Sequence, residues 1–135
     1  MKKNLSFLFV GLLSLGLLLS ACGGGAPAPA TFSQLPVFSG AKESTSEILV
    51  GALNVMTDAL KGESTIKSVE GKGYDVPAGT TWDAIKSFYT PALEKSSWTA
   101  GPGGADTLSF IRGTQSVVVK YSESLGLIVL LTEAK

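Results

Sequence analysis

Residues 107–132 read TLSFIRGTQSVVVKYSESLGLIVLLT, and this stretch decides the fold class. It holds three runs rich in β-branched and large apolar residues, at 107–112, 116–121 and 125–132. Three residues separate each pair of neighbouring runs, 113–115 and 122–124, and connections this short are typical of antiparallel hairpins. The sequence therefore predicts three antiparallel strands at the end of the chain.

Two of these runs are continuously apolar, at residues 117–119 and 127–131. Successive side chains of a strand point to opposite faces of the sheet. An unbroken apolar run therefore predicts a strand that is covered on both faces, the last run most of all.

Upstream of these runs, apolar residues at helical spacing predict a helix between Ser46 and Gly62. Ser46 has a side chain suited to an N-cap, and Gly62 is a typical stop. The polar side lacks the Lys and Arg residues of a membrane-lying helix, so we expect the apolar stripe to face the core rather than a membrane or a partner. The stripe consists of Ile48, Leu49, Ala52, Leu53, Met56, Ala59 and Leu60.

A second helix is predicted to begin at Thr80 or Thr81, after a weakly patterned strand at 65–76. Pro91 is expected to kink this helix or to end its first part near Thr90. One face carries Trp82, Ile85, Phe88, Tyr89, Ala92 and Leu93. We expect Trp82 and the following Trp98 to be core residues rather than ligand contacts.

The order of these elements predicts an α+β fold. We expect two helices packed on one face of a mostly antiparallel sheet of about four to five strands. The stretch 35–41 is short and extended, and Pro36 places it at an edge or outside the ladder.

Composition excludes several classes of function. The chain of 135 residues contains no histidine, one cysteine and one arginine, Arg112. Without Lys2 and Lys3 it carries nine basic against 11 acidic residues, a net charge of about −2. Nucleic-acid binding needs clustered Lys and Arg, so it is rejected. We expect no metal, no cofactor and no disulfide, because the commonest metal ligand is missing and one thiol cannot pair.

The N-terminus carries the most specific motif. Two lysines precede an apolar run at 5–18, which is too short to span a bilayer and suits a signal peptide. Leu19-Ser20-Ala21-Cys22 follows and resembles the lipobox of bacterial lipoproteins. The resemblance implies cleavage before Cys22 and a diacylglycerol thioether on its sulfur. The alternative is an ordinary secretory signal with a chance cysteine.

This resemblance divides the chain into three parts. Residues 1–21 are interpreted as the signal peptide, and 22–31 as a lipidated Gly/Ala/Pro tether that is flexible and extended. Residues 32–135 are expected to form one small α+β domain. The protein would lie outside the cytoplasm, anchored by lipid on Cys22 to the cell membrane or the outer membrane.

A second resemblance concerns the domain. The stretch 35–41 reads LPVFSGA and precedes a helix with Phe88-Tyr89, Leu93 and then Trp98. This pattern is similar to a group of small bacterial envelope lipoproteins, although Ser97 stands where the pattern has glycine. The resemblance supports the fold and implies no site.

No catalytic site is predicted. Nucleophilic catalysis needs a base beside the nucleophile, and the chain lacks histidine and a Ser-x-x-Lys motif. Asp75 and Asp83 are the best candidates for paired carboxylates, but turn and cap roles explain both. Two hypotheses stand. One is a non-catalytic envelope module that binds a protein or cell-wall partner, or supports an assembly. The alternative is a small enzyme with a Ser/Lys or carboxylate site.

Overall fold

The computed structural model describes residues 27–135. Its helices are α1 (Glu47–Lys61) and α2 (Trp82–Lys95), and a short 3-10 helix spans Phe32–Gln34. The strands are β1 (Lys42–Glu43), β2 (Ile66–Asp75), β3 (Thr99–Ala100), β4 (Thr107–Arg112), β5 (Gln115–Ser122) and β6 (Gly126–Ala134). They form one antiparallel sheet in the order β1-β2-β6-β5-β4-β3. Cys22 and the predicted signal peptide lie outside the described residues.

The α+β class and the antiparallel sheet are confirmed. The sheet has six strands instead of four to five because the short edge strands β1 and β3 each add two residues of pairing. The predicted hairpins are present, with Arg112 paired to Gln115 and Ser122 paired to Gly126. Gly113 adopts a φ of +60°, a conformation that glycine accepts at no steric cost and that closes the first hairpin.

The prediction that both helices lie on one face is wrong, because they lie on opposite faces. Leu127, Val129 and Leu131 of β6 belong to the core that contains α2. Ile128 and Leu130, which alternate with them, pack with Leu49 of α1. Alternating residues of a strand point to opposite sides. The continuous apolar run of β6 thus has a helix on each side, which explains why it shows no alternation.

Two glycines of β2 let α1 approach the sheet closely. A Cβ atom on Gly73 would lie 2.8 Å from Leu49 Cγ, and one on Gly71 would lie 2.8 Å from Leu53 Cδ1. Both distances are shorter than van der Waals contact, so larger residues at these positions would push the helix away. The weak apolar pattern of β2 is therefore a consequence of helix packing.

Helix α2 begins as expected but does not end at its proline. Thr81 is the N-cap, and its side chain accepts a hydrogen bond from the Ala84 backbone N–H at 3.2 Å. The helix continues through Pro91 to Lys95, and Pro91 is exposed. Water can bond the carbonyl that lacks its partner there, which lowers the cost of the proline. The buried side of α2 carries Ile85, Tyr89 and Leu93.

Contacts between the chain and the domain begin at Ala28, four residues before the predicted start of the domain at residue 32. The Gln115 side chain accepts from Ala30 N–H at 2.7 Å and donates to Ala30 O at 2.9 Å. Arg112 donates to Ala28 O at 2.9 Å and to Ser96 O at 3.3 Å. Ala30 is buried and belongs to the α2-side core. The free part of the predicted tether is therefore shorter than its composition suggests.

The two ends of the sheet differ in what meets there. Ala28, the β4–β5 turn and the end of α2 come together at one end, which we call the tether end. Lys135 also lies there, because its N–H donates to Thr65 O next to the start of β2. The opposite end, the far end, carries the start of both helices and the β5–β6 turn.

Candidate functional site

The two carboxylates singled out from the sequence have separate partners. Asp75 Oδ1 accepts a hydrogen bond from Ser44 Oγ at 2.6 Å, which joins the end of β2 to the chain before α1. Asp83 Oδ1 lies 2.6 Å from Lys86 Nζ, one turn along α2. Each carboxylate has its own local partner, an arrangement that fits the turn and helix roles expected for them.

The lysine chemistry of the domain consists of surface ion pairs. Lys72 Nζ lies 2.9 Å from Glu43 Oε2, and this hydrogen bond and charge raise the pKa of Lys72. A lysine that acts as a base needs the opposite shift. Lys120 Nζ lies 2.6 Å from Asp106 Oδ2, and the hydrogen bond lowers the pKa of Asp106. Both groups are held in their charged forms.

A shallow depression of about 390 Å³ lies at the far end. Its walls are the loop 76–81 with Tyr121 and Glu123, and the Tyr121 hydroxyl donates to Thr80 O at 2.7 Å. Glu123 is the single carboxylate among the residues that line it. A pair of acids is therefore not assembled by these lining residues.

Residues 27–135 contain no group of three or more His, Cys, Asp or Glu side chains placed to hold a metal ion. Across the same range, neither helix combines the length and the apolar character needed to cross a membrane.

Helix α1 carries an apolar flank that the domain leaves uncovered. Ile48 is 75% exposed and Val55 is 71% exposed. Ala52 and Ala59 lie on the same flank, because the four positions follow one another at intervals of four and three residues. We call these four residues the α1 flank. Ala59 is exposed and Ala52 is half-buried.

Ile48 and Ala59 are exposed, so the expectation that these two residues face the core is wrong. The helix buries Leu49 completely and Leu53, Met56 and Leu60 in part. The apolar residues of α1 cover a wider part of the helix surface than can contact the sheet, so some of them face outward. The signal was present in the sequence, since Asn54 is the one polar residue between Glu47 and Thr57.

The sheet beside α1 is also partly uncovered. Val118 pairs with Leu130, and Ser109 pairs with Val118, so these side chains lie on the α1 face. We call the α1-face residues of β4 and β5 the open shelf, and none of them is fully buried. Ile111 is 45% exposed. The open shelf consists of Thr107, Ser109, Ile111, Ser116 and Val118.

The α1 flank faces the open shelf. Thr57, on the other flank of the helix, approaches Gly71 of β2: a Cβ atom on Gly71 would lie 3.4 Å from Thr57 Cγ2. The flank with Ile48 and Val55 therefore points away from β2, toward β5, whose Val118 packs against the α1 cluster. The α1 flank and the open shelf adjoin, and we call them together the shelf site.

The shelf site differs in charge from the uncovered part of the other face. There, β2 presents Glu70 and Lys72, and Lys72 is paired with Glu43. The nine residues of the shelf site include no ionisable side chain, and the next α1-face residue of β5, Lys120, lies beside Thr107 at the far end. Charged side chains keep a surface solvated, whereas the shelf site exposes Ile48, Val55 and Ile111.

Comparisons of this chain with protein-family models, with curated proteins and with solved structures found no match.

Proposed function

We propose that this protein is a lipid-anchored lipoprotein outside the cytoplasm, and that its domain binds a protein partner of the cell envelope without catalysis. The lipid is on Cys22, in the motif Leu19-Ser20-Ala21-Cys22. The shelf site carries the binding part of the proposal, because exposed Ile48 and Val55 lie beside an uncharged sheet surface. Interface cores are depleted of charge in the same way.

The contacts at Ala28 support an anchor that orients the domain. Five residues, 23–27, separate Cys22 from Ala28. At roughly 3.5 Å per extended residue they reach about 20 Å, so the tether end stays near the headgroups. Two acyl chains of a diacylglycerol suffice for stable membrane attachment. The shelf site is then presented beside the membrane in a restricted set of orientations.

A protein suits the shelf site better than a cell-wall glycan. A glycan presents many hydroxyl groups, and burying them against Ile111 and Val118 would leave them without hydrogen bonds. The membrane itself is also a poor partner for α1, because an interfacial helix normally carries Lys and Arg on its polar face. Lys61 is the single basic residue of α1, and it pairs with Asp58.

Metabolic labelling with a fatty-acid analogue tests the anchor. Wild-type protein should take up the label and fractionate with membranes, whereas Cys22→Ser should lose the label and accumulate as uncleaved precursor. Ser20→Ala is the matched control, since it keeps a small residue at that position and should label normally. Label retained by Cys22→Ser would overturn the lipid assignment.

A further inference from the structure

We infer that the shelf site is the interface of a homodimer, in which α1 of each copy lies on the open shelf of the other. The inference rests on the proposed function and specifies its partner protein as a second copy of this chain. Four properties of the described residues support this partner: the width of the shelf, the placement of the tether, the chemistry of α1 and the position of two charges.

The width of the open shelf matches one helix. On this face α1 contacts β2 and β6, which leaves β5, β4 and β3 without a helix. Three strands spaced about 4.8 Å apart span roughly 10–14 Å. A helix with its side chains is about 10 Å across. The uncovered area thus has room for one helix beside α1.

A two-fold axis parallel to the strands lets α1 of each copy cover the open shelf of the other copy at the same time. The two α1 helices then lie side by side in a single layer, with one sheet below and one above. Each helix packs on its own β2 and β6 and on the open shelf of the other copy. Val55 lies next to the axis, because it projects from the flank that faces the second helix.

The same two-fold axis is compatible with lipid anchoring of both copies in one membrane. Rotation about an axis parallel to the strands leaves the tether end of both copies on one side. Both Ala28 residues then lie at the same end of the dimer, and both lipids can enter one bilayer. An antiparallel pairing of the helices would point one tether away from the membrane, and residues 23–27 are too short to bring it back.

The outward side of α1 is uncharged between Glu47 and Asp58, which both lie on it and are exposed. Gly51 and Asn54 lie between them on this side and are exposed. A Cβ atom on Gly51 would meet nothing within 4 Å, so the helix surface is low at this point and another surface can approach closely. Val118 and Ser109 are at the centre of the shelf that this side would meet.

At the far end a carboxylate of one copy meets an ion pair of the other. Glu47 begins α1, and Leu49, about half a turn later, packs on Gly73. Lys120 lies in the same cross-strand row as Gly73, because both pair with Ile128. In the dimer Glu47 of one copy therefore approaches Lys120 of the other, where Asp106 is already its partner. The two-fold axis generates this contact at two places in the dimer.

The expected contact area is that of a small interface. The 15 residues of α1 form a helix about 22 Å long and about 10 Å wide. Two such helix-on-shelf contacts, counted on both copies, cover about 900 Å² in projection, at the low end of specific interfaces. Anchoring both copies in one bilayer raises their effective concentration further.

Thiol cross-linking in the full chain tests this dimer. Val55→Cys is expressed with two different epitope tags in one cell and treated with a short bis-maleimide. A species of twice the monomer mass that carries both tags is expected. Ser87→Cys, exposed on α2 on the opposite face, is the matched control and should stay monomeric. Repeating the experiment with Cys22→Ser separates dimer formation from lipid attachment.

Each outcome has one meaning. Equal cross-linking of Val55→Cys and Ser87→Cys would show random collision and overturn the dimer. A cross-link of Val55→Cys to a protein of another mass would overturn the dimer and leave the proposed binding function standing. No cross-link at Val55→Cys would overturn the dimer.

A charge exchange then tests the arrangement of the two copies. Glu47→Lys should lower the yield of the Val55→Cys cross-link severalfold, since it places two lysines together. Lys120→Glu added to this variant should recover much of the yield. Loss of yield without recovery in the double variant would overturn the parallel two-fold arrangement.

Discussion

The two faces of this sheet are completed in different ways. On the α2 face, a helix, the segment from Ala28 to Ala41 and Trp98 enclose a core built around residues such as Tyr89 and Phe110. On the α1 face, full burial is reached at Leu49, Ile128 and Leu130, while the open shelf stays exposed. Strand β5 shows the contrast directly, since its side chains alternate between buried and half-buried along its length.

This difference separates the part that stabilises the monomer from the part available for assembly. A face that is closed by its own chain gains little from a partner. A face with an exposed apolar helix flank and an uncharged shelf gains burial when something covers it. The following predictions test whether the two faces contribute to stability as unequally as their burial indicates.

The largest effect is expected from Trp98→Ala. Trp98 is 4% exposed, and the Arg112 guanidinium lies 5.0 Å from its ring centre. Removing a buried tryptophan loses transfer free energy and leaves a cavity, so the free energy of unfolding should fall by about 3–5 kcal/mol. Trp82 is half-buried, and Trp82→Ala should cost less. Chemical denaturation measures both changes.

Val118→Ala is the control on the α1 face, and it should lower the free energy of unfolding of the monomer by less than about 1 kcal/mol. If Val118→Ala costs as much as Trp98→Ala, the two faces contribute equally and the distinction between them fails.

Gln115→Ala should have the next largest effect. The buried Gln115 side chain makes two hydrogen bonds to the Ala30 backbone, and their loss should cost about 1–3 kcal/mol. Limited proteolysis should also cut near residue 30 faster than in the wild type. Gln34→Ala removes an exposed hydrogen bond to Thr31 N–H and should cost clearly less. Equal losses in the two variants would show that Gln115 does not hold the segment in place.

The smallest effect at neutral pH is expected from Tyr89→Phe. Tyr89 is fully buried, and its hydroxyl has no hydrogen-bond partner of regular geometry among the described residues. Replacing it with phenylalanine removes an unsatisfied polar group. The free energy of unfolding should stay unchanged or rise by up to about 1 kcal/mol. A loss of more than about 1 kcal/mol would mean that the hydroxyl has a partner in solution.

The same variant has a defined pH dependence. Burial raises the pKa of Tyr89 well above its usual range, and the Phe38 backbone offsets this only in part. The folded chain therefore keeps a proton that the unfolded chain loses near pH 10. This contribution is fully present below about pH 10 and is lost as pH rises further, by about 1.4 kcal/mol per pH unit. Above about pH 10 the free energy of unfolding of Tyr89→Phe should rise relative to that of the wild type. A difference between the two proteins that is constant with pH would contradict this.

The interior of the sheet was largely predictable from the chain. Residues 107–132 alone predict three strands and two hairpins, because β-branched runs and short glycine or serine turns act over a few residues. Ser46 and Gly62 mark the ends of α1 for the same reason. The edge strand β1 was not predicted, since a two-residue pairing has no sequence period.

Local spacing and side-chain polarity are enough to predict the α+β class, the hairpins, the limits of α1 and the burial of Trp98. The placement of the helices on opposite faces, the hydrogen bond from Arg112 to Ala28, and the exposure of Ile48 and Val55 follow from tertiary packing. Each of these depends on residues distant in sequence that compete for the same surface. The spacing of apolar residues in the sequence shows which side chains favour burial. The packing of α1 on Gly71 and Gly73 determines which of them are buried.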